Sequence, residues 1–312
     1  MNRILSSQYR SIVDHFDWFL ILEVLYMSNF KYFNFNEQLE INEKEFSFIN
    51  SILNVDAYPL AKTNKCLSQE EFSILNSEIR NLALKSLGSV PEYQVFVNDY
   101  SLQQDKIIVT HRNKKGELNG VASAVIVKSD NVDDYLHYGI FLVDPASRHQ
   151  HIQFKLGVSI MFNYMKLYPN KEKLWITNVS SVLGTLAVID KMFLDVYPGM
   201  KLKTPRQEHA KICKDFIKGA YERCYLNPKS NFDQDEYVFK EANLNNCFKK
   251  KASNKQFNSL SNSHNKFYSN LMNQDQGDAV LQIGYITKKR IYMTVLFYLY
   301  RAYIRNLFVS RR

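Results

Sequence analysis

The chain has 312 residues, of which 46% are hydrophobic, 14% aromatic and 23% charged, and its formal net charge is +9. The apolar content excludes a disordered chain, and the scarcity of Gly (10) and Pro (7) excludes collagen-like and proline-linker architectures. Residues 245–312 hold 12 basic residues and only two acidic ones, so the whole charge excess lies there. We therefore expect a near-neutral body with a basic C-terminal part.

The pattern of the four cysteines indicates whether the protein's compartment is oxidising or reducing. They form no C-x-x-C pair and no zinc spacing, which favours free thiols in a reducing compartment. The N-terminus carries no secretory signal pattern, and no stretch reaches the roughly 18–20 uncharged apolar residues of a membrane-spanning helix. The sequence thus predicts a cytoplasmic protein.

The elements follow from hydrophobic periodicity, capping residues and turn residues. A helix over residues 5–28 is followed by a second one that starts at a capping box formed by Ser68 and Glu71 and stops at Gly88. The later helices are predicted at 154–168, 181–193, 206–225 and 285–309. Strands are predicted at 93–97, 106–112, 120–128, 135–143, 174–179 and 236–240, the turns between 106 and 143 making three antiparallel strands in sequence.

These elements predict four parts. Residues 1–89 form a helical N-terminal part packed on the core, and residues 90–244 form an α/β (α+β) core. Residues 245–280, rich in Asn, Ser, Lys and Gln, are predicted to be a polar mobile linker. Residues 281–312 are predicted to be a basic amphipathic helix.

The turn between the strand 135–143 and the next helix carries the clearest motif. It reads Val143-Asp-Pro-Ala-Ser-Arg148-His-Gln-His151-Ile-Gln153. A loop that enters a helix is a natural anion site, because free backbone N–H groups and the helix dipole both point at it.

This turn and the order of the elements resemble the GCN5-related N-acyltransferase superfamily, whose motif V-x-P-x-x-R/Q-x-x-G-x-G/A is matched by Val143, Pro145 and Arg148. The resemblance spans roughly residues 90–200. It implies a mixed, mainly antiparallel sheet flanked by helices. It also implies that the turn cradles the pyrophosphate of acetyl-CoA or a longer acyl-CoA, or the pantetheine phosphate of an acyl carrier protein. The residues placed in this contact are Val143, Arg148, His149, His151, Ile152 and Gln153.

The chain departs from the family at two places. His151 and Gln153 stand where the motif has glycines, which let the backbone approach a phosphate without a Cβ. Val188 stands where the family commonly has the Tyr that protonates the departing thiolate, and valine has no proton to donate. The nearest polar substitutes are Asn178, Ser180 and Tyr197.

Acyl transfer to an amine also needs a base and an oxyanion donor. His137, on the strand that leads into the turn, is the candidate base, with packing of a half-buried histidine as the alternative. The backbone N–H after Val143 is the oxyanion donor that the resemblance implies. His149 and His151 form H-x-H, a poor metal signature, so no metal is expected.

The basic C-terminal part has its own alternatives. Thr294, Arg301, Arg305 and Arg312 share one narrow face of the predicted helix, and the rest is apolar and aromatic. That pattern suits an anionic membrane surface, which would make the protein peripheral at the inner membrane face, and it equally suits docking on the body. Residues 245–312 could also attract an acidic carrier protein, whereas nucleic acid is a less favoured partner.

Two functions follow from these observations. The first is an acyltransferase that moves an acyl group from acyl-CoA or an acyl carrier protein to an amine acceptor whose identity the sequence leaves open. The second is a catalytically silent module of the same fold, tethered to a membrane surface or an anionic partner by its basic tail. The retained V-x-P-x-x-R favours the first, and the missing glycines and Tyr favour the second.

Overall fold

A computed structural model describes residues 50–294, apart from 52, 62–66, 149 and 220–222. All of them belong to one compact unit, Glu43–Arg312. The predicted helix at 5–28 and most of the predicted C-terminal helix lie outside the described residues.

The described chain alternates strands and helices. The helices are α1 (Gln69–Leu87), α2 (Ile152–Leu167), α3 (Leu183–Met192), α4 (Gln207–Ile217), α5 (Asn262–Leu271) and α6 (288–294). The strands are β1 (Asp56–Pro59), β2 (Lys106–Arg112), β3 (Leu118–Val127), β4 (Tyr135–Val143), β5 (Lys173–Ser180), β6 (Leu194–Tyr197), β7 (Asn231–Asp233), β8 (Val238–Lys240) and β9 (Ala279–Thr287).

The nine strands form one sheet in the order β1-β2-β3-β4-β5-β9-β8-β7, and β6 lies beside β8 along the same edge of β9. Every described pairing is antiparallel except that of β4 with β5. Between β6 and β9 the chain inserts residues 198–278, called here the insertion, which carry α4, β7, β8 and α5. The structure is thus the mixed, mainly antiparallel α/β fold that the sequence predicts.

Helices cover both faces of the sheet. Apolar residues of α1 pack with Ile108, Val121 and Ile140, and α4 continues that layer through Phe216 against the β3–β4 and β9 region. Helix α2 covers the opposite face, where a Cβ on Gly120 would lie 2.5 Å from Ile152. The end of β4 therefore lies between two helical layers, with α2 on one side and α1 on the other.

The three consecutive antiparallel strands are confirmed, and the bounds of β4 are those predicted. Other predictions are wrong in detail. Residues 94–96 form a turn of 3-10 helix instead of a strand, because Gln94 takes a positive φ of 47°. The predicted helix 206–225 is shorter, ending at Ile217.

The two C-terminal predictions need larger corrections. The predicted mobile linker 245–280 contains helix α5 and contributes Tyr268 and Met272 to a buried apolar cluster. Residues 281–287, predicted to be helical, belong to β9, which pairs with β5 along its whole length. An apolar run bounded by charge fits a buried strand and a helix equally well, and here the helix begins only at 288.

The capping box at the start of α1 is confirmed. The Ser68 hydroxyl accepts from the Glu71 N–H at 3.1 Å, and the Glu71 carboxylate accepts from the Ser68 N–H at 2.7 Å. We expect Ser68→Ala to lower the free energy of unfolding by about 1 kcal/mol, since a capping side chain satisfies an otherwise free helix N–H. Urea unfolding measures this. Ser77→Ala, at an exposed position inside the same helix, is the control and should not destabilise. Equal losses in both variants would contradict the capping argument.

Candidate active site

Strands β4 and β5 run side by side for only three residue pairs. The pairs are Leu136↔Ile176, His137↔Thr177 and Tyr138↔Asn178. Beyond them β4 continues to Val143 beside β3, and β5 continues to Ser180 beside β9. The two strands therefore part after Tyr138 and Asn178 and leave a wedge between their C-terminal ends, called here the cleft. Backbone groups of β4 from Gly139 onward face this cleft without a β5 partner.

A β-bulge lies at the start of the cleft. Ala122 pairs with Phe141 and Ala124 with Tyr138, so two steps along β3 face three steps along β4. The extra residue turns both Tyr138 and Phe141 toward α2, where their rings meet edge-on at 5.3 Å. Bulges commonly lie next to active sites because they re-aim side chains and free backbone groups.

Gly139, in the bulge, is covered by the side chain of Gln94. A Cβ at position 139 would lie 1.9 Å from Gln94 Oε1 and 2.8 Å from its Cδ. The Gln94 amide donates to the Arg223 carbonyl at 2.7 Å, and its oxygen accepts from the Ser123 hydroxyl at 3.1 Å. A glycine is required at 139 so that this amide can lie against the strand.

The turn after β4 leads directly into α2. Asp144 caps a short 3-10 turn by accepting from the Ala146 N–H at 2.9 Å. His151 is the residue before α2 and has a left-handed φ of 57°, a conformation that glycine adopts most readily. No side chain caps α2, so the first N–H groups of the helix stay available to an anion. His151 thus has a backbone conformation that favours glycine, while its imidazole is exposed.

A network of polar side chains joins this turn to β2, β3 and α2. The Asn119 amide donates to the Ser147 hydroxyl at 3.0 Å, and its oxygen lies 2.7 Å from His111 Nδ1. The other ring nitrogen of His111 lies 3.5 Å from the ammonium of Lys155, in the first turn of α2. Burial lowers the pKa of both His111 and Lys155. The network ties the turn to the first turn of α2, so the two parts of the candidate anion site are held in one geometry.

Two cations near the turn are close enough for their charges to interact. Arg148 is exposed. Lys250, from the insertion, donates to the Cys247 carbonyl at 3.2 Å, and its ammonium lies 4.9 Å from the centre of the Phe257 ring. Burial and, more weakly, the positive charge of Arg148 lower the pKa of Lys250. A half-buried lysine near a second cation is the arrangement that an anion between them would stabilise.

His137 lies in a closed environment. Its Nδ1 is 3.0 Å from the Thr177 hydroxyl, its Nε2 is 3.4 Å from Cys224 Sγ, and its ring packs against Phe216 at 5.0 Å. The side chain is 2% exposed, and this burial lowers its pKa to about 3. Burial raises the pKa of the Cys224 thiol well above its usual value. Both groups are therefore neutral near pH 7, and the described contacts give His137 a packing role.

The other predicted catalytic residues occupy three different settings. Asn178 lies at the vertex of the cleft, buried, and donates to Gln282 Oε1 at 3.2 Å. The Ser180 hydroxyl accepts from the Val182 N–H at 3.0 Å, just before α3. Tyr197 lies in the α4 layer and donates to the Asp235 carbonyl at 2.9 Å. Of the four, only Asn178 is placed at the point where β4 and β5 part.

Among the predicted carrier-binding residues, Val143 is buried at the end of β4, Ile152 is buried at the start of α2, and Gln153 is exposed beside it. His149 lies outside the described residues. Val188, at the position of the family's Tyr, is 51% exposed on α3. These predicted carrier-binding residues follow one another from the end of β4 (Val143), through the turn (Arg148 and His151), into the first turn of α2 (Ile152 and Gln153).

Sequence reasoning missed an aromatic cluster in the core on the α1 side of the sheet. The rings of Tyr93, Tyr225 and Phe248 meet pairwise at 5.6, 6.0 and 6.4 Å. They come from three distant segments, so no local spacing could have grouped them. The aromatic residues of 245–276 were the one available signal, since scattered Phe in a polar segment indicates burial as readily as stacking.

A cavity of about 520 Å³ lies elsewhere, between the end of α5 and the β7–β8 hairpin. It does not include the turn or the cleft, so we do not assign it to the candidate site. Among the described residues, no group of three or more His, Cys, Asp or Glu side chains could hold a metal ion. In the same part of the chain, no helix is long and apolar enough to cross a membrane.

No family model matches the chain, and no curated protein matches it. Several of the solved structures to which it is similar are acetyltransferases. They include an aminoglycoside 6'-N-acetyltransferase complexed with coenzyme A, at 12% identity over 40% of this chain and 62% of that one, with a TM-score of 0.27. A Trypanosoma brucei acetyltransferase matches at 14% identity over 44% and 90%, with a TM-score of 0.31. Tetrahymena GCN5 matches at 14% identity over 49% and 84%, with a TM-score of 0.32.

All three TM-scores are below 0.5. The matched part covers less than two thirds of the aminoglycoside acetyltransferase. Activity, substrates and partners of this chain are therefore proposals, argued from its own residues.

Proposed function

We propose that the protein is an N-acyltransferase that takes an acyl group from a coenzyme A-type thioester and transfers it to an amine. The observation that carries the proposal is the cleft, because β4 and β5 part immediately before an uncapped helix N-terminus. The wedge offers a channel for a thin pantetheine arm, and free backbone groups of β4 line it. The helix N-terminus offers an anion site where the arm's phosphates would lie.

In this proposal the chain's residues have distinct roles. The N–H groups at the start of α2, together with Arg148 and Lys250, bind the carrier's phosphates. Asn178 and the freed backbone of β4 orient the thioester at the vertex of the cleft. With Val188 in place of the family's Tyr, the departing thiolate takes its proton from solvent. The acyl group is acetyl or longer, on coenzyme A or on an acyl carrier protein.

A thiol-release assay tests the proposal. Acetyl-CoA or palmitoyl-CoA is mixed with the protein and a panel of primary amines, and free thiol is followed with a chromogenic disulfide while products are identified by mass spectrometry. We expect amine-dependent thiol release and an N-acylated product. Release at the background rate with every pair would contradict the enzyme proposal. If coenzyme A still raised the melting temperature, the silent-module alternative would replace it.

The cation pair gives a second test. Arg148→Ala combined with Lys250→Ala should weaken coenzyme A binding by about 10-fold, since charge-assisted contacts to phosphate contribute on the order of 1.5–3 kcal/mol each when well formed and less at an exposed rim. Titration calorimetry at low and high salt measures it, and the wild-type affinity should fall more steeply with salt. Lys115→Ala, in the exposed turn before β3, is the control. Equal affinity of the double variant and the control would contradict phosphate binding at this turn.

A further inference from the structure

The side chain of Gln94 is held rigidly at the vertex of the cleft. It lies against Gly139, the first residue of β4 beyond the last pair with β5. The Arg223 carbonyl can only accept, so it fixes which end of the amide carries the nitrogen, and the Ser123 hydroxyl donates to the other end. The backbone is held as well, because Gln103 donates to the Gln94 carbonyl at 3.3 Å.

One of the two N–H groups of the Gln94 amide has no hydrogen-bond partner among the described residues. A primary amide nitrogen has two N–H groups, and among the described residues Nε2 makes one hydrogen bond, to Arg223. Gln94 is 9% exposed, and its φ of 47° is uncommon for a residue other than glycine. An oriented N–H that has no partner among the described residues, beside the point where a channel begins, suits a ligand's acceptor atom.

Resting on the proposed function, we propose that Gln94 is a catalytic residue whose free amide N–H donates to the thioester carbonyl oxygen and stabilises the oxyanion that forms there. The amine nitrogen attacks the carbonyl carbon with its lone pair, and the carbonyl π electrons move to oxygen. Collapse of this intermediate reforms C=O and breaks the C–S bond. The sulfur leaves with the bonding pair and takes a proton from water, and the amine nitrogen loses one proton to water.

This assignment differs from the one that the sequence implies. The backbone N–H after Val143 belongs to Asp144, five residues beyond Gly139, and it already donates to the Asn119 carbonyl at 2.9 Å. Gln94 reaches the vertex instead, from the segment between α1 and β2. A fixed donor needs no reorganisation during the reaction, which is why such groups contribute strongly to transition-state stabilisation.

Infrared spectroscopy of bound acetyl-CoA, carrying ¹³C at the thioester carbonyl, tests the contact without turnover. A hydrogen bond to the carbonyl oxygen lowers the C=O stretching frequency. We expect a lowered frequency on the wild-type protein and a return toward the free value in Gln94→Met, which keeps the chain length but not the amide. Ser123→Ala retains the amide of Gln94 and removes one of its two hydrogen bonds, so the carbonyl band should broaden.

With an amine substrate, Gln94→Met should reduce kcat by about 100-fold and change KM little.

Gln104→Met is the matched control. Gln104 is a half-buried glutamine of the same segment, and its amide donates to the Tyr100 carbonyl at 3.4 Å and makes no described contact with Gln94. This variant should keep the wild-type carbonyl frequency. An unshifted wild-type band, or a shift that survives in both Gln94→Met and Ser123→Ala, would overturn the role of Gln94 while leaving the proposed function in place. Absence of acetyl-CoA binding to the wild-type protein would contradict both.

Discussion

Replacing Gly139 by alanine is expected to reduce amine-dependent thiol release by about 100-fold. The added Cβ would lie 1.9 Å from Gln94 Oε1, so the amide must leave its position against β4. Its hydrogen bonds to Ser123 and Arg223 would be lost with it. Displacement of a positioning group by about 1 Å is enough for a 10²-fold loss in rate. Loss of the two hydrogen bonds should also lower the free energy of unfolding by about 1–3 kcal/mol.

Gly157→Ala provides the matched comparison. Gly157 lies in α2, where an added Cβ would meet the Phe141 ring at 3.6 Å, an ordinary contact. Alanine is also the better helix former by about 1 kcal/mol, so this variant should be at least as stable as the wild type. Steady-state thiol release and urea unfolding of both variants decide the matter. Wild-type rates in Gly139→Ala would show that the vertex of the cleft takes no part in the reaction.

The second large effect is on stability at acid pH. Burial lowers the pKa of His137 from 6.5 to about 3, so the folded state resists protonating it while the unfolded state does not. The contribution of His137 is therefore fully present above pH 6.5 and is lost as the pH falls from 6.5 toward 3. Its upper bound is about 5 kcal/mol, at 1.36 kcal/mol for each pKa unit.

Urea unfolding at intervals from pH 7.5 to pH 4 measures this loss. His137→Leu should give a flatter dependence on pH than the wild type. Some slope remains, because burial also lowers the pKa of His111 and His209. His151→Asn, at an exposed position with a left-handed backbone that asparagine tolerates, should keep the wild-type slope. If His137→Leu and the wild type lost stability in parallel, the buried neutral histidine would not be the cause.

Short-range sequence features predict most of the elements of the core. The capping box at Ser68 and the turn residues between β2 and β4 are short-range features, and each depends on physical rules that act within a few residues. The motif at 143–153 is also local, and its described residues run from the end of β4 to the first turn of α2.

The rest depended on contacts between distant segments. Gln94 reaches Gly139 across 45 positions, and Phe248 reaches Tyr93 from the middle of the insertion. Strand β9 also depends on distant segments. Its apolar residues fit a helix by local pattern, and its pairing with β5 and β6 makes it a strand. From sequence alone, a strand histidine near a turn such as His137 fits a catalytic base and a packed core residue equally well. The contacts with Phe216 and Cys224 favour the packed core residue.

A crystal structure of the protein with coenzyme A tests the central claim most directly. We expect the pantetheine arm to lie between β4 and β5, with its sulfur near Gly139 and Asn178. We expect the diphosphate to bind the N–H groups at the start of α2, within reach of Arg148 and Lys250. Coenzyme A bound away from the cleft, or β4 and β5 paired along their full length with the wedge closed, would contradict it.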